Sequence, residues 1–479
     1  MFDLRPYQID AKNGIRNVFT SGKKRVILCA PTGSGKTVTF ASIASDAVRS
    51  GTTAVIVVDR RELLEQSREK LIEYGLAPAL ITAGQRTFQS SSYIATIETL
   101  VRRPAIMNNL SKSERLLFII DECHKQIFDK LLTLQQFKHA FIVGASATPK
   151  RSGKMNQLFD YYDEISVPTT ISDLIENGYL VPAITFGANI DVSNLGVKRG
   201  DFDAKQMFDQ FNKPKLYSGV VEKYLKHTPG TKAICFCINV EHSTNTRDAF
   251  IAAGITAAHI DGTTPPGIRK QIIAAFKRGE IMILCNCDIL TTGFDDPGVE
   301  TVIVNRATQS LTLWLQMCGR GSRPHKEKKQ SFNIIDLGGN VFRLGFWDQE
   351  RTFSLKHKKK DSVDAAPLKN CPNCDALVHL TAKFCPHCKF EFMKAETTLL
   401  TADFSALVNQ NEIPENLKGK TLEEMTIGEL EQFREFKKYK LGWIVREIIK
   451  RPDLSLADYA KNKGYKPEWI KIQENIYSH

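Results

Sequence analysis

The stretch at 30–37, APTGSGKT, sets Gly33, Gly35, Lys36 and Thr37 where a chain could wrap a nucleoside triphosphate. Glycines let backbone N–H groups approach phosphate oxygens, so Pro31, Thr32, Gly33, Ser34 and Gly35 are expected to cradle the β-phosphate. Lys36 would neutralise the β- and γ-phosphates, and the Thr37 hydroxyl would ligate Mg²⁺. Ala30 stands where the general pattern GxxxxGK[ST] has glycine. Further along, the tetrapeptide DECH offers Asp121 as a second Mg²⁺ ligand and Glu122 as the group that takes a proton from attacking water. Cys123 reads as a bystander, and His124 either couples this loop to the next motif or only packs. In QMCGRGSRP, Gln316, Arg320 and Arg323 are spaced i, i+4 and i+7, one face of a helix if the helix continues past Gly319. Arginines facing a bound triphosphate would supply the positive charge that its γ-phosphate lacks in the transition state. Near the end, CPNC and CPHC present Cys371, Cys374, Cys385 and Cys388, a thiolate set for one tetrahedral Zn²⁺, with 376–384 as a hairpin between the two turns.

These groups need a frame. The P-loop directly follows the apolar run 25–29, and DECH follows 116–120, so both sit at the mouths of buried strands, where α/β sheets bind ligands. Runs at 53–58, 93–97 and 140–144 supply further strands, the last leading into Ser146-Ala-Thr-Pro149. Helix-forming stretches such as 61–74 alternate with them, and residues 1–165 read as one parallel-sheet domain. A second alternation, with strand-like runs at 233–238, 257–260, 281–285, 301–304 and 332–335, makes 166–345 another such domain, including an insertion at 187–217 with a helix at 203–211. Cys235, Cys237, Cys285 and Cys287 within these runs read as buried thiols ahead of a metal site. Gly293 and Asp295, in TTGFDDP, lie where a turn could meet ribose or relay the phosphate state. Upstream, Gln8 in RPYQ has a carboxamide able to read the adenine edge, with Arg5 beside it. Arg61, after the run 53–58, could present a guanidinium to phosphates.

Composition narrows the partners. The chain has 479 residues and a formal charge of +12, while charged residues form an ordinary 25%, which favours a polyanionic partner over disorder. No apolar run is long enough to span a membrane, and a cytoplasmic protein is expected, so the 11 cysteines call for something other than a disulfide framework. Past 345 the sequence reads as a basic linker at 346–367, a zinc ribbon at 368–394 and a helical domain at 395–479, with 430–449 amphipathic and Trp443 and Trp469 as core anchors.

The ordered set RPYQ, APTGSGKT, DRREL, DECH, SATP, TTGFDDP and QMCGRGSRP resembles the motif series of superfamily 2 helicases and translocases over residues 1 to about 345. The resemblance implies an α/β fold of two tandem RecA-like parallel-sheet domains, followed here by a small zinc ribbon and a helical C-terminal domain. It implies ATP between the two domains and nucleic acid across their top. It carries over Gln8 as adenine reader and Gln316, Arg320 and Arg323 as water-positioning and arginine-finger residues. Arg61, Thr99, Thr291 and Thr292 match positions that touch a nucleic-acid backbone. DECH in place of DEAD argues against the DEAD-box RNA subgroup. The CPNC/CPHC pair, QMCGRGSRP and the stretch 200–203 resemble the RadD-like branch of DNA-repair helicases and, in the motor, phage branch-migration helicases of the UvsW type. The expectation is an ATP-driven motor on branched, forked or single-stranded DNA, with protein partners reached through the ribbon or the C-terminal helices and no membrane association. An RNA helicase and a nucleotide-switched binding protein are the alternatives.

Overall fold

The computed structural model describes residues 4–82, 90–151, 156–198, 200–291, 293–325, 329–355, 367–392, 414–417, 419–437 and 439–477. Two compact units are present, Met1–Phe392 and Met393–His479.

In the first unit, short apolar runs bounded by turns become β1 (Arg25–Cys29), β2 (Thr53–Val58), β3 (Ala79–Ile81), β4 (Ser92–Thr96), β5 (Leu116–Ile120), β6 (Phe141–Ser146) and β7 (Glu164–Ser166). They form one parallel sheet in the order β3-β4-β2-β5-β6-β1-β7. Alternate side chains feed two cores, one on each face. Val55, Phe118 and Ile120 enter one, and Val26, Ile56 and Ile119 the other. Burial on both faces is why these strands read as continuous apolar runs.

A second parallel sheet contains β8 (Ala183–Gly187), β11 (Ala233–Cys237), β12 (Ala257–Ile260), β13 (Ile283–Asn286), β14 (Thr301–Asn305) and β15 (Phe332–Asp336), in the order β12-β13-β11-β14-β15-β8. Cys235, Cys237 and Cys285 lie in its core, while Cys287 is half-buried. Within 187–217, the short pair β9 (Val197–Lys198) and β10 (Asp201–Phe202) precedes the helix Ala204–Phe211, which Asp203 caps. Asp201 ties this insertion to the loop after β14 by accepting from the Thr308 hydroxyl at 2.8 Å and the Gln309 N–H at 2.7 Å.

Three expectations need correction. The segment 346–367 does not start as a linker. Trp347 is 1% exposed inside the core of the second sheet, and Arg351 donates to the carbonyls of Leu344, Phe346, Trp347 and Gln349. Lys356 to Lys360 lie outside the described residues. The hairpin expected between the CPxC turns is arranged otherwise. β17 (Leu377–His379) pairs antiparallel with β16 (Leu368–Asn370), which precedes the first turn, and Phe384 pairs with Glu391 across the second. Each CPxC turn is therefore the tip of its own small hairpin. Finally, 430–449 is two helices, Ile427–Lys437 and Leu441–Ile449. The Arg434 guanidinium donates to the Tyr439 carbonyl at 3.0 Å, and Leu430 and Ile444 share one core.

That core belongs to the second unit, where the helices Leu456–Lys463 and Pro467–Tyr477 complete it, with Trp443 and Trp469 packed at its edge. Among the described residues, no helix is long and apolar enough to cross a membrane.

Candidate ATP site, metal centre and nucleic-acid face

β1 delivers the chain into the P-loop, and the helix Lys36–Arg49 leaves it with Gly35 at its N-cap, in the left-handed region at φ 77°. Gly33 has φ 88°. A Cβ at Gly35 would stand 2.8 Å from Gln8 Nε2, and one at Gly33 3.0 Å from Leu180, so glycine is required twice over. Ala30 needs no such freedom, because its N–H simply extends the β1–β6 ladder to the Ser146 carbonyl at 3.1 Å. Lys36 is half-buried and donates to the carbonyls of Ala30 at 3.2 Å and Pro31 at 3.4 Å. Thr37 follows it, half-buried, in the first turn of the helix. Gln8 is buried against the loop. Its amide nitrogen lies 3.4 Å from the carbonyls of Ser34 and Gly35, and its oxygen accepts from the Arg5 N–H at 2.9 Å. Arg5 stacks over the Tyr179 ring at 4.4 Å, and Tyr7 donates to the Ser34 carbonyl at 2.7 Å. The roles of Tyr7, Tyr179 and Leu180 carry no sequence signal beyond their neighbours.

DECH follows β5. Glu122 is 7% exposed and adopts φ 51°, a left-handed conformation that costs a residue with a Cβ about 1–2 kcal/mol. Its N–H is bonded to Asp121 Oδ1 at 3.0 Å. Desolvation, then the charge of Glu122, pushes the Asp121 carboxyl up to about 6, with Lys36 opposing; a divalent cation would favour the ionised form. His124 Nδ1 lies 2.8 Å from Ser146 Oγ and 3.4 Å from Glu122, so it does link DECH to SATP. Burial holds its pKa down, which keeps the ring neutral. Cys123 is fully buried and its thiol is pushed up by burial, as a bystander should be.

The second sheet brings the helix Leu311–Cys318 onto the P-loop. A Cβ on Gly319, its C-cap, would lie 2.9 Å from Thr32. The helix stops there, so Gln316, Arg320 and Arg323 do not share one helical face. The two arginines lie in the turns beyond and converge on one carbonyl instead: Arg320 donates to Phe294 O and, at 2.8 Å, to Thr291 O, and Arg323 reaches Phe294 O at 3.4 Å. Burial, then Arg323, lowers Arg320 to about 9, so it remains charged at neutral pH.

Among the described residues, four buried polar atoms in this region have no hydrogen-bond partner: Ser34 Oγ, Glu122 Oε2, Gln316 Nε2 and Arg320 Nε. Buried polar atoms are normally paired, and these come from the phosphate loop, the carboxylate loop and the facing helix and turn. The set matches a triphosphate with Mg²⁺ and attacking water in its donors and acceptors alike. The SATP segment also crosses the cleft, with Thr148 Oγ1 lying 2.5 Å from Thr312 Oγ1, one helical turn before Gln316.

Gly293 and Asp295 sit in the turn between the two sheets' facing elements. Gly293, at φ 74°, abuts the helix Arg61–Glu73, where Gln66 donates to its carbonyl, and Asp295 pairs with Arg323 at 2.9 Å. Of the residues expected to touch nucleic acid, Arg61 is exposed at the start of that helix. Thr99 is half-buried, its hydroxyl 2.9 Å from Thr96 Oγ1. Thr291 is 5% exposed and donates to the Asp288 carbonyl at 2.9 Å, so it braces the turn that receives Arg320. Thr292 lies outside the described residues.

The cysteine set is compact. All four thiols lie within 4.8 Å of one another, with Cys371–Cys388 at 3.6 Å and Cys374–Cys385 at 3.7 Å. Tetrahedral Zn–S bonds of about 2.3 Å require sulfurs about 3.8 Å apart, so the donors fit zinc. The two turns repeat one hydrogen-bond pattern: Asp375 N to Cys371 O and Cys371 N to Ala376 O, then Lys389 N to Cys385 O and Cys385 N to Phe390 O. Asp375 and Lys389 both take positive φ to close them. The ribbon is fastened to the second sheet, with Leu377 in one of its cores, Ala376 in the other and Asp375 paired with Lys226.

Residues 1–151 match the family model described as type III restriction enzyme, res subunit, and residues 217–325 match the helicase conserved C-terminal domain. The chain belongs to the superfamily 2 helicases. A "51.5 kDa protein" of a Lactococcus phage is 30% identical over 83% of this chain and 85% of its own length. A helicase-named protein of Saccharomyces cerevisiae, IRC3, is 29% identical over 70% of this chain, and the EcoAI type I restriction endonuclease subunit of Escherichia coli is 24% identical over 70%. This superfamily 2 chain spans about half the length of those two relatives, 51% and 46%. Among solved structures, a fragment described as an HsdR subunit from Vibrio vulnificus YJ016 shares the fold, with TM-score 0.56 and 22% identity over 78% of this chain and 70% of its own. The type ISP restriction-modification enzyme LlaBIII bound to DNA shares it at TM-score 0.51 and 16% identity, over 70% of this chain and 28% of its own.

Proposed function

We propose that this ATP-dependent nucleic-acid motor is a DNA helicase or translocase that acts on branched or forked DNA. In this reading Lys36, Thr37 and Asp121 hold the triphosphate and its Mg²⁺, which supplies charge neutralisation at the phosphates. Glu122 takes the proton from attacking water, Gln316 orients that water, and Arg320 and Arg323 stabilise the charge that develops on the γ-phosphate. Gln8 and Arg5 lie where an adenine would be read. The cysteine set holds Zn²⁺ in a structural role.

The observation that carries the substrate reading is the ribbon built into the second sheet, with a separate helical unit beyond it. Two RecA-like domains suffice to walk along a strand, whereas rearranging a junction requires further surfaces that hold a second arm. DNA in preference to RNA is supported by the relative that is a restriction endonuclease subunit and by the neighbour described as bound to DNA. Forked or four-way DNA is expected to stimulate ATPase more than linear duplex at equal nucleotide concentration. Binding should weaken steeply with salt as Lys and Arg contacts release counterions. Deleting 393–479 should reduce the branch preference more than the basal rate. Equal stimulation by RNA and DNA, or by branched and linear DNA, would move the RNA-helicase reading ahead.

Metal analysis is expected to find one zinc per chain. The double variant Cys371→Ser, Cys374→Ser should lose it and lower the melting temperature of the whole first unit, because Ala376 and Leu377 then leave the cores of the second sheet. Absence of stoichiometric zinc from protein purified without chelator would remove the assignment.

A further inference from the structure

Arg151 lies just past SATP, and its side chain is 1% exposed. Its guanidinium is spent on the DECH loop. Nε donates to His124 O at 2.8 Å, and Nη2 reaches Cys123 O at 3.3 Å and Lys125 O at 3.4 Å. Nη1 donates to Asn156 O at 2.8 Å, Asp129 pairs with the guanidinium at 2.8 Å, and the Tyr161 ring lies 5.3 Å away. Three successive carbonyls, starting one residue after Glu122, are thus gripped by one rigid fork.

What the grip secures is the residue just before it. Glu122 holds a left-handed backbone conformation, and such a residue persists only where its surroundings over-determine it. The Cys123 N–H is held by the Ala145 carbonyl on the other side of the turn, so the loop is fixed from both faces. A lysine has no planar fork to span three carbonyls. The same SATP segment meets the facing helix through Thr148 and Thr312, which places the grip three residues from a contact made across the cleft.

We propose that Arg151 is a positioning residue for ATP hydrolysis. By clamping the carbonyls of Cys123, His124 and Lys125 it keeps the Glu122 carboxylate aimed at the attacking water, without touching nucleotide itself. The proposal rests on Glu122 being the general base, so the experiment includes both residues. ATPase kinetics under saturating single-stranded DNA, Mg·ATP affinity by fluorescent-nucleotide displacement, and melting temperature are measured for Arg151→Ala, Arg151→Gln, Arg151→Lys, Glu122→Gln and the double variant Arg151→Ala, Glu122→Gln. A misaimed base can cost about 100-fold in rate, so kcat should fall by roughly that in Arg151→Ala while KM and nucleotide affinity stay within about 3-fold. Arg151→Lys should restore little. The double variant should turn over no more slowly than Glu122→Gln alone, because the clamp acts only through that carboxylate. Near-parental kcat in Arg151→Ala beside an inactive Glu122→Gln overturns the clamp and leaves the base assignment standing. Full additivity, or KM rising in step with the loss of kcat, overturns it as well. Near-parental turnover of Glu122→Gln overturns the base assignment, and the proposal with it. Should Arg151→Ala not fold, Arg151→Gln, which keeps the bulk and one donor, is read by the same criteria.

Discussion

Arg320→Gln is expected to lower kcat by about 10³-fold or more, the range found when an arginine that stabilises phosphoryl-transfer charge is removed. Nucleotide affinity should change little, because the contact strengthens only as charge develops on the γ-phosphate. The structure shows a cation held ready at a cost. Arg320 is 6% exposed, its Nε is unpartnered, and its other nitrogens reach only carbonyls. Its folded-state pKa lies below that of the unfolded chain, so keeping the charge costs stability at neutral pH, and that cost fades as pH rises through about 9. Removing the charge relieves the cost while losing carbonyl bonds, so the melting temperature should stay close to the parent's. A variant equally impaired in kcat and nucleotide affinity would point to ground-state binding and sink the finger role.

Glu122→Gln should cut turnover by about 10² to 10⁴-fold, the usual worth of a positioned general base. Glutamine keeps the volume of the side chain, and Lys36, Thr37 and Asp121 remain to hold Mg·ATP. The variant should therefore accumulate an ATP-bound state that stays clamped on nucleic acid, measured as slowed release from a labelled strand. If it neither hydrolyses nor binds ATP, Glu122 has a structural task instead, exercised through its contact with His124 at 3.4 Å.

Much of the frame was legible because buried parallel strands are written as apolar runs. β1, β2 and β5 fall where those runs stand. β3, β7 and β8 were missed, since Ala79–Ile81 and Glu164–Ser166 have three residues each and Ala183–Gly187 is half-buried, which breaks the run. The candidate ATP-site residues stand out in the sequence because phosphate chemistry demands particular types at particular spacings. The partners that hold them do not. Arg151 works through backbone carbonyls, which leave no trace in the residue types opposite. Thr148 and Thr312 meet across a sequence gap that no local pattern bridges. The helical spacing of Gln316, Arg320 and Arg323 misled because glycine ends that helix at Cys318, and the arginines converge through turns. The brace that Thr291 forms with Asp288 was likewise not legible, since a threonine in a motif can serve as a brace as readily as a contact.

The ribbon's seat in the second sheet has a consequence for how the chain matures. Leu377 helps fill a core that also includes Ile234, Val302 and Phe332. A nascent chain that has just released its last helicase motif therefore still lacks a piece of its own interior. The amino-terminal sheet can close during synthesis, but the second must wait until the ribbon emerges and folds back onto it, exposing apolar surface in the interval. A minimal motor excised at the end of the motifs would keep that exposure permanently; one that ends at Phe392 would not.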